Sequence, residues 1–213
     1  PDSSTVLRVE GMCCWHAIGG MPWAPIWLKA VDGISFDLRQ GESLGVVGAS
    51  GCGKSTFLNI LAGLEPPDSG IIEFDGISVD SRLGQVGYMQ QKDLLLPWRT
   101  VLDNVILGLQ IEGVSRKQAR IDALDLIHQF GLSGFENLYP HALSGGMRQR
   151  AAFLRTMLLE QSIILLDEPF GALDALTKLN LQEWLMDVCL HMNKTTVLVT
   201  HDIDEALLLS DRV

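Results

Sequence analysis

A nine-residue run, Gly48-Ala49-Ser50-Gly51-Cys52-Gly53-Lys54-Ser55-Thr56, narrows the possible folds more than any other part of this chain. It fits G-x-x-x-x-G-K-[ST] at Gly48, Gly53, Lys54 and Ser55. It also lies between a strand-like run, Ser43 to Val47, and a helix-like one, Ser55 to Leu64. Glycines let the backbone turn tightly enough for several N–H groups to face one anion, and the helix that follows adds the positive end of its dipole. The pattern therefore predicts a phosphate cradle in an α/β sheet. Ser50, Gly51 and Cys52 form its rim, Lys54 reaches β- and γ-phosphates, the Ser55 hydroxyl holds Mg²⁺, and Thr56 is the next donor.

A chain of 213 residues is long enough for one well-buried domain, and 47% hydrophobic with 20% charged residues is ordinary for an α/β protein. No apolar run approaches the ~18 residues that a spanning helix needs, so the chain is not expected to cross a membrane. A net charge of -10 argues against nucleic acid as a partner. The four cysteines, Cys13, Cys14, Cys52 and Cys189, are scattered, which fits a reducing cytoplasm better than a disulfide framework. Cys13 and Cys14 resemble half a metal site, but no Cys or His pair at ligand spacing follows, and packing is the expected role. Pro1 to Thr5 are polar, and Ser210 to Val213 read as the start of a further strand, so the expectation is a chain truncated at both ends.

Val6 to Val9 and Gly33 to Leu38 read as strands, with a Gln40-Gly41 turn before the strand that feeds the phosphate loop. Trp15 to Trp27, rich in Gly, Pro and Trp, reads as an irregular loop, from which Trp15, His16, Trp23 or Trp27 offers a ring to an adenine. Phe57, Ile60, Leu61 and Leu64 recur at helical spacing and are stopped by Gly63 and Pro66-Pro67. Ile71 to Phe74 and Ile77 to Val79 form a hairpin around Asp75-Gly76, and Val86 to Met89 is a buried strand ending at Gln90-Gln91. Helical patterns follow Pro97-Trp98, among them a helix that Ser115 and Gln118 cap and that carries Ile121, Leu124 and Ile127.

Three later stretches point back to the phosphate. Ser144 is placed to cap the helix after Leu143, with Gly145 and Gly146 leaving its first N–H groups open to an anion. Ile163 to Leu166 is an apolar strand delivering Asp167 and Glu168, the first to bind Mg²⁺ and the second to polarise an attacking water. Thr195 to Thr200 is another, ending in His201-Asp202, where His201 faces the γ-phosphate or the attacking water. Between them, Leu181, Trp184, Leu185 and Val188 mark one face of a helix over Asp174 to Met192.

With these stretches in view, the chain resembles the ATP-binding subunit of an ABC transporter over nearly its whole length. By that resemblance Gly48 to Thr56 is the Walker A loop, Gln91 the Q-loop glutamine (with Gln90 the lesser choice) and Leu143 to Gln149 the family signature. Ile163 to Glu168 corresponds to Walker B, Ala172-Leu173-Asp174 to the D-loop, and His201 to the switch histidine. Leu95 to Val105, Asp167 to Leu185 and Thr200 to Val213 resemble the ATPases of nitrate, sulfonate, taurine and related importers. The family implies a P-loop α/β fold with a RecA-like sheet, a small antiparallel region and a helical subdomain. The expected division is a core of residues 1–91 and 150–213 and helices within 92–149.

The resemblance also implies a mechanism. Two copies face each other head to tail, and ATP on one phosphate loop is covered by Ser144, Gly145, Gly146 and Gln149 of the other. Ser55, Gln91 and Asp167 hold Mg²⁺, Glu168 orients water, His201 senses the γ-phosphate and Trp15 contacts the adenine. Implied partners are transmembrane permease subunits and, through them, a solute-binding protein, with the chain peripheral on the cytoplasmic face. A nucleotide-gated module acting on a non-transport partner is the alternative, though such proteins usually carry a long coiled-coil insertion or two fused cassettes, and this sequence has neither. A P-loop kinase explains Lys54 and Asp167 but leaves Leu143 to Gln149 without a purpose.

Overall fold

The computed structural model describes residues 5–21, 23–78, 82–171 and 173–213. Two sheets and a set of helices build it. In chain order the elements are β1 (Thr5–Met21), β2 (Ala24–Arg39), β3 (Ser43–Val47), α1 (Lys54–Leu61), β4 (Ser69–Phe74), β5 (Ile77–Ser78) and β6 (Gly87–Met89). There follow α2 (Val101–Val105), α3 (Leu107–Ile111), α4 (Arg116–Gln129), a 3₁₀ turn (Pro140–Ala142) and α5 (Gly145–Met157). The chain closes with β7 (Ile163–Asp167), α6 (Ala175–Met192), β8 (Thr195–Thr200) and α7 (Ile203–Leu209).

One sheet is parallel, in the order β3-β8-β7-β6, and the other antiparallel, in the order β2-β1-β4-β5. Strands of a parallel sheet are covered on both faces, which is why β7 and β8 are continuous apolar or Thr-rich runs rather than alternating ones. Their side chains divide between two cores. Ile163, Leu165, Val197 and Val199 join α1 and the antiparallel sheet, whereas Ile164, Leu166 and Leu198 join α2, α4, α5 and α6. Phe153 and Trp184 meet edge-on at 5.6 Å in the second core, so Trp184 is a packing residue as its helical spacing implied; Val188, on the same face, has a side chain outside the described residues.

The expected loop at Trp15 to Trp27 is instead a β-ribbon. Trp15 pairs with Lys29, His16 with Leu28, Ala17 with Trp27 and Met21 with Ala24; residue 22 lies outside the described set. Register shifts between Val9 and Met12, Met12 and Cys14, Cys14 and Trp15, and Ala17 and Gly19 break the two-residue alternation that marks a strand. Pro25 is tolerated because β2 is an edge strand.

Other boundaries moved for local reasons. Gly63, at φ 76°, closes α1 with a Schellman pair, its N–H bonding Ile60 O at 3.1 Å and the Leu64 N–H bonding Asn59 O at 2.9 Å. Leu64, expected on the buried face, is thereby turned outward and exposed. In α4 the buried side chains are Ala119, Ala123 and Ile127, while Ile121 and Leu124 face outward. Ser115 caps α4 as expected, accepting from the Gln118 N–H. Val79, expected to end the hairpin, lies outside the described residues.

A buried amide organises the segment ahead of α2. Asn104, fully buried, accepts from the Leu96 N–H at 2.7 Å and donates through Nδ2 to the carbonyls of Leu96, Arg99 and Thr100. All of its hydrogen-bonding capacity faces that turn. Replacing Asn104 with Leu keeps the volume but strands the Leu96 N–H and the Arg99 carbonyl, each at about 1–3 kcal/mol, while the carbonyls of Leu96 and Thr100 keep backbone partners. Urea unfolding of Asn104→Leu is expected to show a loss of at least that size, and an unchanged midpoint would contradict the assignment.

Candidate active site

All four parallel strands release the chain at the same end of their sheet. β3 runs into residues 48–53, β8 into His201, β7 into Glu168 and β6 into Gln90-Gln91. Carboxyl ends of parallel strands are where open α/β sheets gather ligands. A cleft of about 440 Å³ opens there, lined by Ser50, Gly51, Cys52, Gly53, Lys54, Ser55, Thr56, Gln91 and Glu168, with His16, Leu28, Lys29 and Ala30 of the ribbon as its far wall.

The loop is shaped by its glycines. Gly53 adopts φ 97° at the cap of α1, and a Cβ there would overlap the carbonyl oxygen of Ala30. Only glycine satisfies both the backbone angle and the approach of β2. Lys54 is buried and donates to the carbonyls of Gly48 and Ala49 at 2.7 and 2.9 Å, so its ammonium lies across the loop. The first N–H groups of α1 and the glycine backbone complete an anion cradle.

Facing the loop, the Ser55 hydroxyl donates to Asp167 Oδ2 at 2.8 Å. Octahedral Mg²⁺ with bonds of 2.0–2.1 Å sets adjacent oxygens about 2.9 Å apart, so these two atoms are spaced as neighbouring ligands of that ion. Burial pushes the Asp167 carboxyl above its ordinary range; the Ser55 hydroxyl opposes this, the Glu168 charge adds to it and Lys54 draws it back. Burial, with Asp167 as a smaller cause, also raises the Tyr88 phenol, which donates to Asn59 Oδ1 at 3.1 Å.

Glu168 leaves the strand at φ 48°, a left-handed angle that a non-glycine residue holds only when its surroundings enforce it. Its N–H donates to Val199 O at 2.8 Å. At the same carboxylate oxygen, Oε2, the Gln91 Nε2 donates at 3.0 Å and His201 Nδ1 lies 3.3 Å away. Three side chains from three strand ends thus converge. Behind His201, Asp202 caps α7 by accepting from Asp204 and Glu205, and Lys178 pairs with Asp202 and Glu205, each at 2.7 Å. The bond from Lys178 also draws the Asp202 carboxyl below its usual range.

The remaining sequence candidates divide. Ser144 caps α5 by accepting from the Met147 N–H; Ser144 and Gly145 are exposed, Gly146 is partly so, and none of the three lines the cleft. Gln149, expected at the ligand, is buried and donates to Pro169 O at 3.2 Å: its position on the inner face of α5 makes it a brace between that helix and the β7 loop. Trp15 also departs from expectation. It is exposed, with the Lys29 ammonium 5.7 Å from its ring centre, and does not line the cleft, whereas its neighbour His16 does. Of the expected D-loop, Ala172 lies outside the described residues, and Asp174 caps α6 by accepting from Thr177, whose hydroxyl holds the carboxyl below its usual range.

Two features escaped the sequence reading. Burial pushes the Cys14 thiol, beside His16 and Glu65, up to about 11, with the Glu65 charge adding to the effect. Residues 93–94, just after Gln91, are fastened to α5: Arg148 Nε donates to Asp93 Oδ2 at 3.1 Å, and Arg155 donates to the carbonyls of Asp93 and Leu94 at 2.8 Å.

Comparison with known proteins agrees with this geometry. The family described as ABC transporter matches residues 31–171. The formylaminopyrimidine import ATP-binding protein ThiZ of Halalkalibacterium halodurans is 49% identical over 86% of this chain and 71% of its own length. The taurine import ATP-binding protein TauB of Yersinia pestis is 40% identical over 98% of this chain and 78% of its own. A dimeric ATP-binding cassette in a post-hydrolysis state with ADP and Pi superimposes with a TM-score of 0.84, at 30% identity over 97% of this chain and 96% of that one.

The carboxyl of Asp167 yields a pH prediction. Because its folded value lies above the unfolded one, the folded state binds the extra proton, and the group costs stability once the pH has risen past the folded value. Asp167→Asn is therefore expected to unfold at higher urea than the parent at neutral pH in metal-free buffer. That advantage should fade as the pH falls below the ordinary carboxylate range; a gain independent of pH would contradict the cause.

Proposed function

The chain belongs to the ABC transporter family, and on that premise we propose how its residues divide the work of an ATP-driven importer. It is an ATP-binding and ATP-hydrolysing subunit of such a transporter. The observation that carries the assignment of roles is the meeting of Gln91 and His201 at one oxygen of Glu168 and of Ser55 with Asp167 at the phosphate loop.

In this reading Lys54 leaves the carbonyls of Gly48 and Ala49 for the β- and γ-phosphate oxygens, while the N–H groups of residues 50–56 surround the β-phosphate. Ser55 and Asp167, joined by Gln91, hold Mg²⁺, whose charge offsets that of the phosphates when it is bound. Glu168 accepts a proton from the water that attacks the γ-phosphorus as the bond to the β-phosphate oxygen breaks and ADP leaves. Gln91 and His201 aim the carboxylate through Oε2, and His201 also senses the γ-phosphate. His16 and Leu28 border the base, in place of Trp15.

Ser144, Gly145 and Gly146 serve the second copy's nucleotide. Their N–H groups form an exposed helix tip outside the chain's own cleft, and the related cassette with ADP and Pi is dimeric. The head-to-tail pair is thus the unit that turns over ATP. We divide each copy into a core of residues 1–91 and 150–213 and a helical part within 92–149. The exposed Leu94 and Trp98 beside Gln91 meet transmembrane permease subunits, and a solute-binding protein is engaged only through them. Among the described residues no helix is long and apolar enough to cross a membrane. The reading sets the chain on the cytoplasmic face, energising uptake of a small solute of the nitrate, sulfonate or taurine class.

Glu168→Gln should still bind ATP but hydrolyse it about 10²–10⁴-fold more slowly, the usual contribution of a general base. Undiminished steady-state hydrolysis in that variant would refute the role of Glu168. Ser144→Arg is expected to bind ATP as a monomer yet fail to form an ATP-dependent dimer, read by light scattering in the Glu168→Gln background. ATP-driven dimerisation of the double variant would remove Ser144 from the interface.

A further inference from the structure

At the root of the β1–β2 ribbon, three ligand-type side chains from two segments converge. Cys14 Sγ lies 3.4 Å from His16 Nε2 and 3.5 Å from Glu65 Oε1, and the last two atoms lie 2.6 Å apart. Cys14 and His16 stand two residues apart on β1, and their side chains meet across the register shift between Cys14 and Trp15. Glu65 arrives from the turn after α1. Backbone pairing holds that turn against β1: the Asp68 N–H donates to Cys13 O at 2.9 Å, the Trp15 N–H donates to Asp68 Oδ2 at 2.6 Å, and Cys13 pairs with Ser69.

We propose that Cys14, His16 and Glu65 form a binding site for a divalent transition metal of the Zn²⁺ class, with a fourth coordination position left for water. Tetrahedral Zn²⁺, with bonds of about 2.3 Å to sulfur and 2.0–2.1 Å to nitrogen or oxygen, sets its ligand atoms about 3.3–3.6 Å apart. The two edges from Cys14 Sγ already have that length. The third, the His16–Glu65 hydrogen bond, has to open by about 0.7 Å, a small rotation of a carboxylate that is partly exposed. A thiolate, an imidazole and a carboxylate together suit Zn²⁺ or Co²⁺, while Mg²⁺ and Ca²⁺ take oxygen ligands. The site is therefore chemically distinct from Ser55 and Asp167. His16 belongs to both the metal cluster and the wall of the nucleotide cleft, using Nε2 for one, so an ion would fix the plane of the ring that borders the cleft.

Co²⁺ titration of the purified chain in Mg²⁺-free buffer tests the proposal, since cobalt reports a thiolate ligand by charge-transfer absorption in the near ultraviolet. We expect that band to saturate at one equivalent, to vanish in Cys14→Ser and to persist in Cys52→Ser, which removes the exposed thiol of the phosphate loop. Glu65→Gln keeps the size of the side chain and should weaken binding roughly tenfold or more. Because Cys14 is buried, circular dichroism establishes that Cys14→Ser is folded; if it is not, Glu65→Gln decides. Absence of the band, its survival in a folded Cys14→Ser, or unchanged Co²⁺ affinity in Glu65→Gln would overturn the site.

Discussion

Sealing the parallel strands on both faces is the constraint on which the rest depends. Every residue of β7 is buried, with alternate side chains committed to two different apolar cores. Such a strand meets polar surroundings only where it stops, and Asp167 and Glu168 stand at that point. The hydrogen bond from Ser55 to Asp167 then joins the start of α1 to the end of β7, so the phosphate loop and the acidic pair share one rigid frame. Burial that stabilises the sheet also keeps the Asp167 carboxyl reluctant to ionise, a cost that a bound cation would reverse.

What could be read from the residues alone follows from how local the responsible physics is. Runs such as Ile163 to Leu166 announce strands covered on both sides, and their boundaries held to within a residue. Caps at Ser115 and Ser144 were legible because a cap bonds to an N–H three residues away. The helix face of Ile121 and Leu124 was misread because large apolar side chains outweigh alanine in any periodicity count. Ala119 and Ala123 nevertheless take the buried positions of α4.

Features assembled across the chain were not legible in the same way. Alternation in the ribbon is interrupted by bulges, so Trp15 could not be assigned a side; the neighbouring His16 has the inward position. Gln149 sits in the signature stretch, but nothing in that stretch reveals that its amide is spent on Pro169. Nor does any spacing rule join Glu65 to Cys14 and His16, which approach it only because β4 pairs with β1.

Fastening residues 93–94 to the shaft of α5 has a mechanical consequence. Arg148 and Arg155 grip that strap about two helical turns apart, so it cannot pivot on the helix or slide along it. At one end of the strap Gln91 rests on Glu168; a single turn ahead of Arg148 stands Ser144. The glutamine and the helix tip are therefore two points on one crank. A displacement of either would strain the two arginine attachments.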